Sequence, residues 1–355
     1  MSTLAPGRRL ATIERVAEVA PIDGADAIVR ARIRGWDVVV RKGELAAGDL
    51  CVYFEVDFEV DSLLDVGDER FAFLAPRGVR TDVAGNKGHV LRTARLRGQY
   101  SQGLAMPVAD FPELGGIDPG RVGEDVTERL AVRKWDPPMP AELAGTARGP
   151  RPAWIPASDE ERIQNVAAIL GARDGIDWVA TEKLDGTSAT FWVAPGDQGV
   201  CSRNLDLVAQ PSQRLWQLAA ELDVHERLRA AGLGELVALQ GEVYGEGIQG
   251  NPLRVRGSRF AAFTLRAGAD ELPRGAWPAW VAELSVPVHE LAFPASVDEA
   301  LAQVETLRSK VSPERPVEGV VWRAADRATV TTADGALLRA SFKVISNRYL
   351  LKHDR

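Results

Sequence analysis

The chain has 355 residues, 45% of them hydrophobic and 26% charged, and carries a formal net charge of −7. That length calls for two or more domains, and the composition is that of a soluble globular protein. No run approaches a membrane span, the first residues lack a signal-peptide core, and two cysteines (Cys51, Cys201) suffice for neither a disulfide framework nor a zinc site. A cytoplasmic protein is the reading. The negative balance argues against a histone-like nucleic-acid binder but leaves room for a local basic groove. Arginines do gather at Arg77, Arg80, Arg92, Arg95 and Arg97, and again at Arg254, Arg256 and Arg259.

Residues 1–130 read as mostly β. Ala11 to Val19 and Ala27 to Ile33 alternate apolar and polar residues, Trp36 to Arg41 is a β-branched run, and Cys51 to Val56 follows a glycine-bounded turn. Val90 to Gly98 leads to a last run, Gln102 to Pro107. About five short strands with one longer insertion suit a small closed barrel of the OB type. Residues 131–160 concentrate proline around Trp135 and Trp154, which predicts a linker or a strap against the next domain.

From residue 161 to 355 the pattern is α+β. Ser158 with Asp159, Glu160 and Glu161 predicts a helix start running into Arg162-Ile163-Gln164-Asn165. One amphipathic helix is expected over Pro211–Ala231, and another over Ala300–Val311 behind the capping box Ser296/Glu299. Strands are expected at 176–182, 188–193, 236–244, 259–265, 317–323 and 337–344.

Chemistry concentrates at Lys183-Leu184-Asp185-Gly186, which closes an apolar strand. A lysine amine there can attack the α-phosphorus of a nucleotide and keep the nucleoside monophosphate as a phosphoramidate. The same four-residue pattern arises by composition in roughly one chain of this size in ten, and an Asp-Gly turn with a solvated lysine explains it equally. Three later stretches add what nucleotidyl transfer needs. Glu242 stands at a glycine-bounded strand end, Glu318 at the head of an apolar strand, and Lys343 on a strand near the C-terminus. Acids can hold a divalent metal through its waters, and cations neutralise phosphates.

The ordered set Lys183-Leu-Asp-Gly, Ser202-Arg203-Asn204, Gly241-Glu242-Val-Tyr-Gly, Phe260-Ala-Ala-Phe263, Glu318-Gly-Val-Val and Phe342-Lys343 resembles motifs I, Ia, III, IIIa, IV and V of the covalent nucleotidyltransferases. Ser188 stands where DNA ligases and capping enzymes typically have arginine. The chain also ends 12 residues after Lys343, without the C-terminal OB domain those enzymes carry. With an N-terminal barrel and Arg162-Ile-Gln-Asn before the nucleophile, the whole chain resembles the RNA ligase 5 family. The resemblance implies an OB-type barrel (1–130), the Pro-rich strap (131–160) and a nucleotidyltransferase domain (161–355).

The resemblance also implies roles. Lys183 would take AMP from ATP; Glu182 would help to read adenine, partly through its backbone; and Asp185, Glu242 and Glu318 would hold the water shell of Mg2+ or Mn2+, one glutamate reaching ribose instead. Arg203 and Lys343 would contact phosphates, Arg162 the polyphosphate or the RNA end, and Phe263, or else Phe260, would stack on adenine. RNA, in particular a nicked duplex with RNA on the 3′-hydroxyl side, would be the partner of a monomer without a membrane, acting in RNA repair. Two departures stand out: Ile345 replaces the second lysine of motif V, leaving Lys352 as a substitute, and Thr264 follows Phe263 where aspartate is common. A DNA ligase or capping-type guanylyltransferase, and an inactive nucleic-acid-binding relative, are the alternatives.

Overall fold

The computed structural model describes residues 9–56, 62–116, 118–135, 145–326, 329–333 and 335–353. The chain divides into two compact units, residues 1–139 with 350–355 and residues 140–349.

In the first unit a five-stranded antiparallel sheet runs in the order Leu104–Pro107, Leu50–Phe54, Ala11–Pro21, Ile28–Ile33, Trp36–Arg41. Its curl originates in the first strand. Ala11 to Arg15 pair with Leu50–Phe54, Val16 to Pro21 pair with Ile28–Ile33, and the register shifts between Val16 and Glu18. Such a bulge bends a strand and lets it serve two directions of the sheet. The two edges then meet, because Gln102 N donates to Asp37 O at 2.8 Å and Val39 N to Ser101 Oγ at 2.9 Å. Alternation does the rest: Trp36, Val38 and Val40 turn inward with Val16, Ala31, Ile33 and Tyr53. This is the curled barrel the strand pattern predicted.

Among its described residues the second unit holds two larger antiparallel sheets and a two-stranded hairpin. A seven-stranded sheet runs Ala147–Pro150, Leu205–Leu207, Asp197–Cys201, Thr187–Ala194, Val237–Gly245, Ser258–Ala267, Asp270–Glu271. A four-stranded sheet runs Val288–His289, Trp178–Lys183, Gly319–Ala324, Ser341–Ile345. Period-two alternation gives each sheet one apolar outer face. Phe191, Val193, Leu239, Val243 and Phe260 lie under the helices Arg214–Glu221, Val224–Ala230 and Ala279–Glu283. Ala180, Val320, Trp322, Phe342 and Val344 lie under helix Val297–Thr306. Each large side chain so buried contributes roughly 1.5–3 kcal/mol. Among the described residues no helix is long and apolar enough to cross a membrane.

Three helical expectations are corrected. The helix expected from Ser158 is absent: Lys343 N donates to Glu161 O and Ile163 N to Lys343 O, so a sheet takes the groups a helix needs. A short 3-10 turn, Ala167–Gly171, follows instead. The single helix over Pro211–Ala231 is broken into two at Asp223, whose φ of 50° is left-handed. The capped helix starts where expected, with Ser296 Oγ accepting from Glu299 N at 3.1 Å, but stops at Thr306. Its expected last turn is used elsewhere, since Ser309 and Lys310 N bind Glu182. The strand expected over 337–344 is likewise two strands: Leu337–Arg339 pairs with Thr329–Thr331 in a separate hairpin.

Candidate active site

In the four-stranded sheet, residues paired across strands share a face. Lys183 is opposite Gly319, which is opposite Ile345; two residues on, Thr181, Val321 and Lys343 form the next row. Ala180, Val320, Phe342 and Val344 take the outer face, so Lys183 and Lys343 stand together on the inner one. There Lys183 Nζ donates to Glu318 Oε1 at 2.8 Å. The lysine side chain keeps 17% of its exposure against 4% for the glutamate, so a buried acid holds an amine that still reaches solvent.

The glycines of the three motifs have one physical reason, close approach. A Cβ on Gly186 would lie 2.2 Å from Val243 O and 3.0 Å from Glu242 Cγ; on Gly241, 2.3 Å from the Phe260 ring; on Gly319, 2.1 Å from Val344 O. No side chain fits at those distances. Gly186 thus seats the Lys183–Asp185 turn directly against the strand that carries Glu242. Glu242 alternates away from Val243 and Leu239 of the helix-covered core, which puts it on the face opposite that core.

Asp185 is buried and its Oδ2 accepts from Tyr349 Oη at 2.7 Å. The Glu182 carboxylate points to the other side of its strand. It accepts from His289 Nε2 at 3.0 Å, from Lys310 N at 2.8 Å and from Ser309 Oγ. Those bonds lock the strand end just before the nucleophile to the 309–312 loop, while Glu182 N donates to Pro287 O at 2.8 Å.

The Pro-rich stretch after 145 is built into this unit. Ala147–Pro150 is an edge strand, Trp154 meets Trp192 edge-on at 6.3 Å, and Pro156 O accepts from Gln240 Nε2 at 3.1 Å. The segment then reaches the four-stranded sheet, where Arg162 bridges Lys343 in parallel. Both side chains are 1% exposed. Arg203 stands apart on the Ser202–Leu205 turn, its Nη2 donating to Asp159 Oδ2 at 2.9 Å. Lys352 is exposed on the helix Asn347–His353, and Ile345 is fully buried.

The two phenylalanines face opposite ways. Phe260 packs in the helix-covered core, its ring centroid 4.9 Å from that of Phe191. Phe263 sits in a bulge, because Gly241 pairs with Ala262 and Gln240 with Thr264, leaving residue 263 without an opposite number. Alternation puts Phe263 on the face of Ala261, beside Leu184, Tyr244 and Val255, and the bulge leaves it there without a cross-strand neighbour. Arg323 fixes it, donating to Phe263 O at 2.8 Å and to Thr264 Oγ1 at 3.1 Å. The same guanidinium meets Glu160 at 2.5 Å and Glu271 at 3.2 Å, and Ser341 Oγ donates to Glu160. Burial works against the Arg323 charge, but Glu160 and Glu271 more than offset it and hold its pKa above the ordinary value. This network ties the inner faces of the two sheets together.

Sequence reasoning did not anticipate Tyr349, His289, Ser309, Glu160 or Arg323. None sits in a spaced motif, and Glu160 read as a first-turn helix acid.

Asp185, Glu242 and Glu318 offer only carboxylate oxygens, the donors a hard divalent cation takes. Among the described residues no three His, Cys, Asp or Glu side chains converge to cage an ion. Magnesium-like ions keep most of their waters and lean on phosphates, so separate carboxylates placed around the Lys183–Gly186 turn fit that group.

Comparison with known proteins agrees with this geometry. A family model described as an OB-fold domain matches residues 10–108, and one described as RNA ligase matches residues 176–345. None of the curated proteins compared with the chain matches it. Among solved structures, a lysine-to-methionine variant of Naegleria gruberi RNA ligase with AMP and manganese is 35% identical over 98% of this chain and 99% of that one, with a TM-score of 0.83. The same ligase with pyrophosphate is 36% identical over 98% and 100%, TM-score 0.82. A lysine-to-alanine variant with ATP and manganese is 35% identical over 97% and 99%, TM-score 0.82. The chain belongs to the RNA ligase family, ATP-dependent enzymes of the nucleotidyltransferase superfamily, with an OB-fold domain ahead of its ligase domain.

Proposed function

We propose that this enzyme seals 3′-hydroxyl and 5′-phosphate RNA ends through a covalent lysyl-AMP on Lys183. The observation that carries the reading is Lys183 Nζ held 2.8 Å from buried Glu318, on the sheet face it shares with Lys343. In the first step Nζ bonds to the α-phosphorus of ATP, the bond to pyrophosphate breaks, and the amine gives up a proton. AMP then passes to the RNA 5′-phosphate, and the 3′-hydroxyl attacks that phosphate while AMP leaves. All three are in-line displacements in which positioning and charge supply most of the acceleration.

Each side chain then has a task. Glu318 orients the amine. Lys343 and Arg162, buried side by side, meet phosphate charge as it develops, and Arg203 takes a phosphate further out. Phe263 stacks on adenine from its bulge, while Phe260 has a packing role. Glu182 acts on adenine through the backbone it anchors, its carboxylate being occupied by Ser309, Lys310 and His289. Asp185, Glu242 and Glu318 would hold a hydrated magnesium or manganese ion, with one of the glutamates reaching ribose instead. When bound, that ion neutralises phosphate charge and favours the unprotonated amine.

The N-terminal barrel grips the nucleic acid, as OB folds do with basic and aromatic surface. RNA on the 3′-hydroxyl side of a nick in a duplex is the favoured substrate, read through the 2′-hydroxyl and A-form shape. RNA repair is the corresponding task. Two free, buried cysteines fit a reducing cytoplasm. We take the working state to be a monomer, a point that sedimentation checks.

A panel of nicked duplexes with RNA or DNA on each side of the nick tests the substrate. Sealing is expected wherever the 3′-hydroxyl strand is RNA. Equal sealing of an all-DNA nick would contradict the preference.

A further inference from the structure

The chain is acidic overall, yet two arginines sit exposed in one built loop of the ligase domain and a third on the strand that follows it. Residues 246–257 connect the strand of Glu242 to the strand of Phe263. The loop is closed at its base by Glu246 N donating to Gly257 O at 3.0 Å, and stepped by Ile248, Asn251 and Arg254 each donating back to Gly245, Ile248 and Asn251. The Asn251 amide clamps it from inside, donating to Val255 O at 2.9 Å and accepting from Val255 N at 3.0 Å. Arg315 Nε holds Pro252 O at 2.8 Å from the neighbouring 309–316 segment. Three residues with side chains, Gln249, Asn251 and Arg254, adopt left-handed backbone at φ of 47°, 50° and 54°. Such conformations are uncommon outside glycine and cluster at ligand-binding segments.

The loop has two different sides. Leu253 and Val255 pack against Leu184, the residue next to the nucleophile, and against Tyr244 and Val286. Arg254 and Arg256 point outward and are exposed, as is Arg259 where the following strand begins. Among the described residues none of the three makes an ion pair; Arg254 is near enough to Glu314 to help lower that carboxyl's pKa, and Glu314 itself accepts from Ser312 Oγ at 2.7 Å. Lys310 and Arg315 add two more cations on the adjoining segment.

We propose that loop 246–257 is a phosphate-binding platform that holds the RNA backbone beside the adenylated lysine, through Arg254, Arg256 and Arg259. A pre-shaped loop with outward guanidiniums suits phosphate, which contacts without reading sequence. The inference rests on the RNA-ligase reading, so its test separates the two. Wild-type protein and an Arg254→Glu/Arg256→Glu double variant are compared in two assays: Lys183 labelling by ATP without RNA, and binding of a nicked RNA duplex over a salt series.

The expected result is unchanged labelling, RNA affinity at low salt reduced about tenfold or more, and a salt slope shallower by roughly one per arginine removed. Arg254→Lys/Arg256→Lys keeps the charge and should restore most of the affinity. If Arg254 cannot be changed without unfolding, Arg256→Glu/Arg259→Glu serves, since neither position needs left-handed backbone. RNA binding equal to wild type overturns the platform. Loss of labelling without RNA assigns the arginines to ATP and overturns it too. A wild-type protein that takes no label from ATP refutes the ligase reading, whatever the loop does.

Discussion

Replacing Gly186 by alanine tests whether close approach, not turn flexibility, is what the Lys183–Gly186 motif requires. The added Cβ would fall 2.2 Å from Val243 O, against at least 3.4 Å for an ordinary contact, so the turn must withdraw from the Glu242 strand by about 1 Å. Overpacking of this kind costs about 1–3 kcal/mol of stability. A 1 Å displacement of a reacting group costs about a hundredfold in rate. The assay is single-turnover labelling of the protein by ATP at saturating nucleotide, alongside denaturant unfolding. Gly149→Ala is the control, because its Cβ would meet nothing within 4 Å and its backbone is not left-handed. Gly186→Ala labelling at the wild-type rate would refute the reasoning.

Further outcomes follow from single contacts. Glu318→Ala should slow adenylation while leaving the fold intact, as single-turnover labelling and unfolding together will show. Arg323→Met removes the clamp on Phe263 O and one partner each from Glu160 and Glu271, which keep Ser341, Arg339 and Arg266; because the Arg323 side chain is 23% exposed, a loss of about 1–2 kcal/mol in denaturant unfolding is expected, less than for a fully buried pair. Burial depresses the His225 pKa below its ordinary 6.5, although its bond to Gly199 O opposes this. Its neutral form therefore stabilises the fold above pH 6.5, and that contribution fades as pH falls through the lowered value. A His225→Gln variant should show a flatter acid limb in unfolding midpoint against pH. Burial also pushes both Cys51 and Cys201 up to about 12, so alkylation at pH 8 should label neither until denaturant is added.

What was legible in the sequence was whatever repeats over a few residues. The run Trp36–Arg41 forms the strand it suggested, Lys183 ends its strand and Glu318 immediately precedes Gly319–Ala324, whereas Glu242, expected at a strand end, lies three residues inside Val237–Gly245. Long-range demand hid the rest. Ser158 to Asn165 has every local mark of a helix start, but Lys343 claims its backbone and Arg323 claims Glu160. Parity alone sets Phe260 and Phe263 on opposite faces of their strand, but which face the helices cover is decided by packing that the strand itself does not show. Tyr349 reaches Asp185 across 164 residues of sequence, and no local pattern announces such a contact.

The central claim is the covalent chemistry of Lys183, and incubation with α-labelled ATP and magnesium or manganese, followed by a denaturing gel, addresses it most directly. The account predicts label that survives denaturation in the wild type, none in Lys183→Ala, and none when GTP replaces ATP. A labelled Lys183→Ala protein, or label taken from GTP but not from ATP, would contradict it.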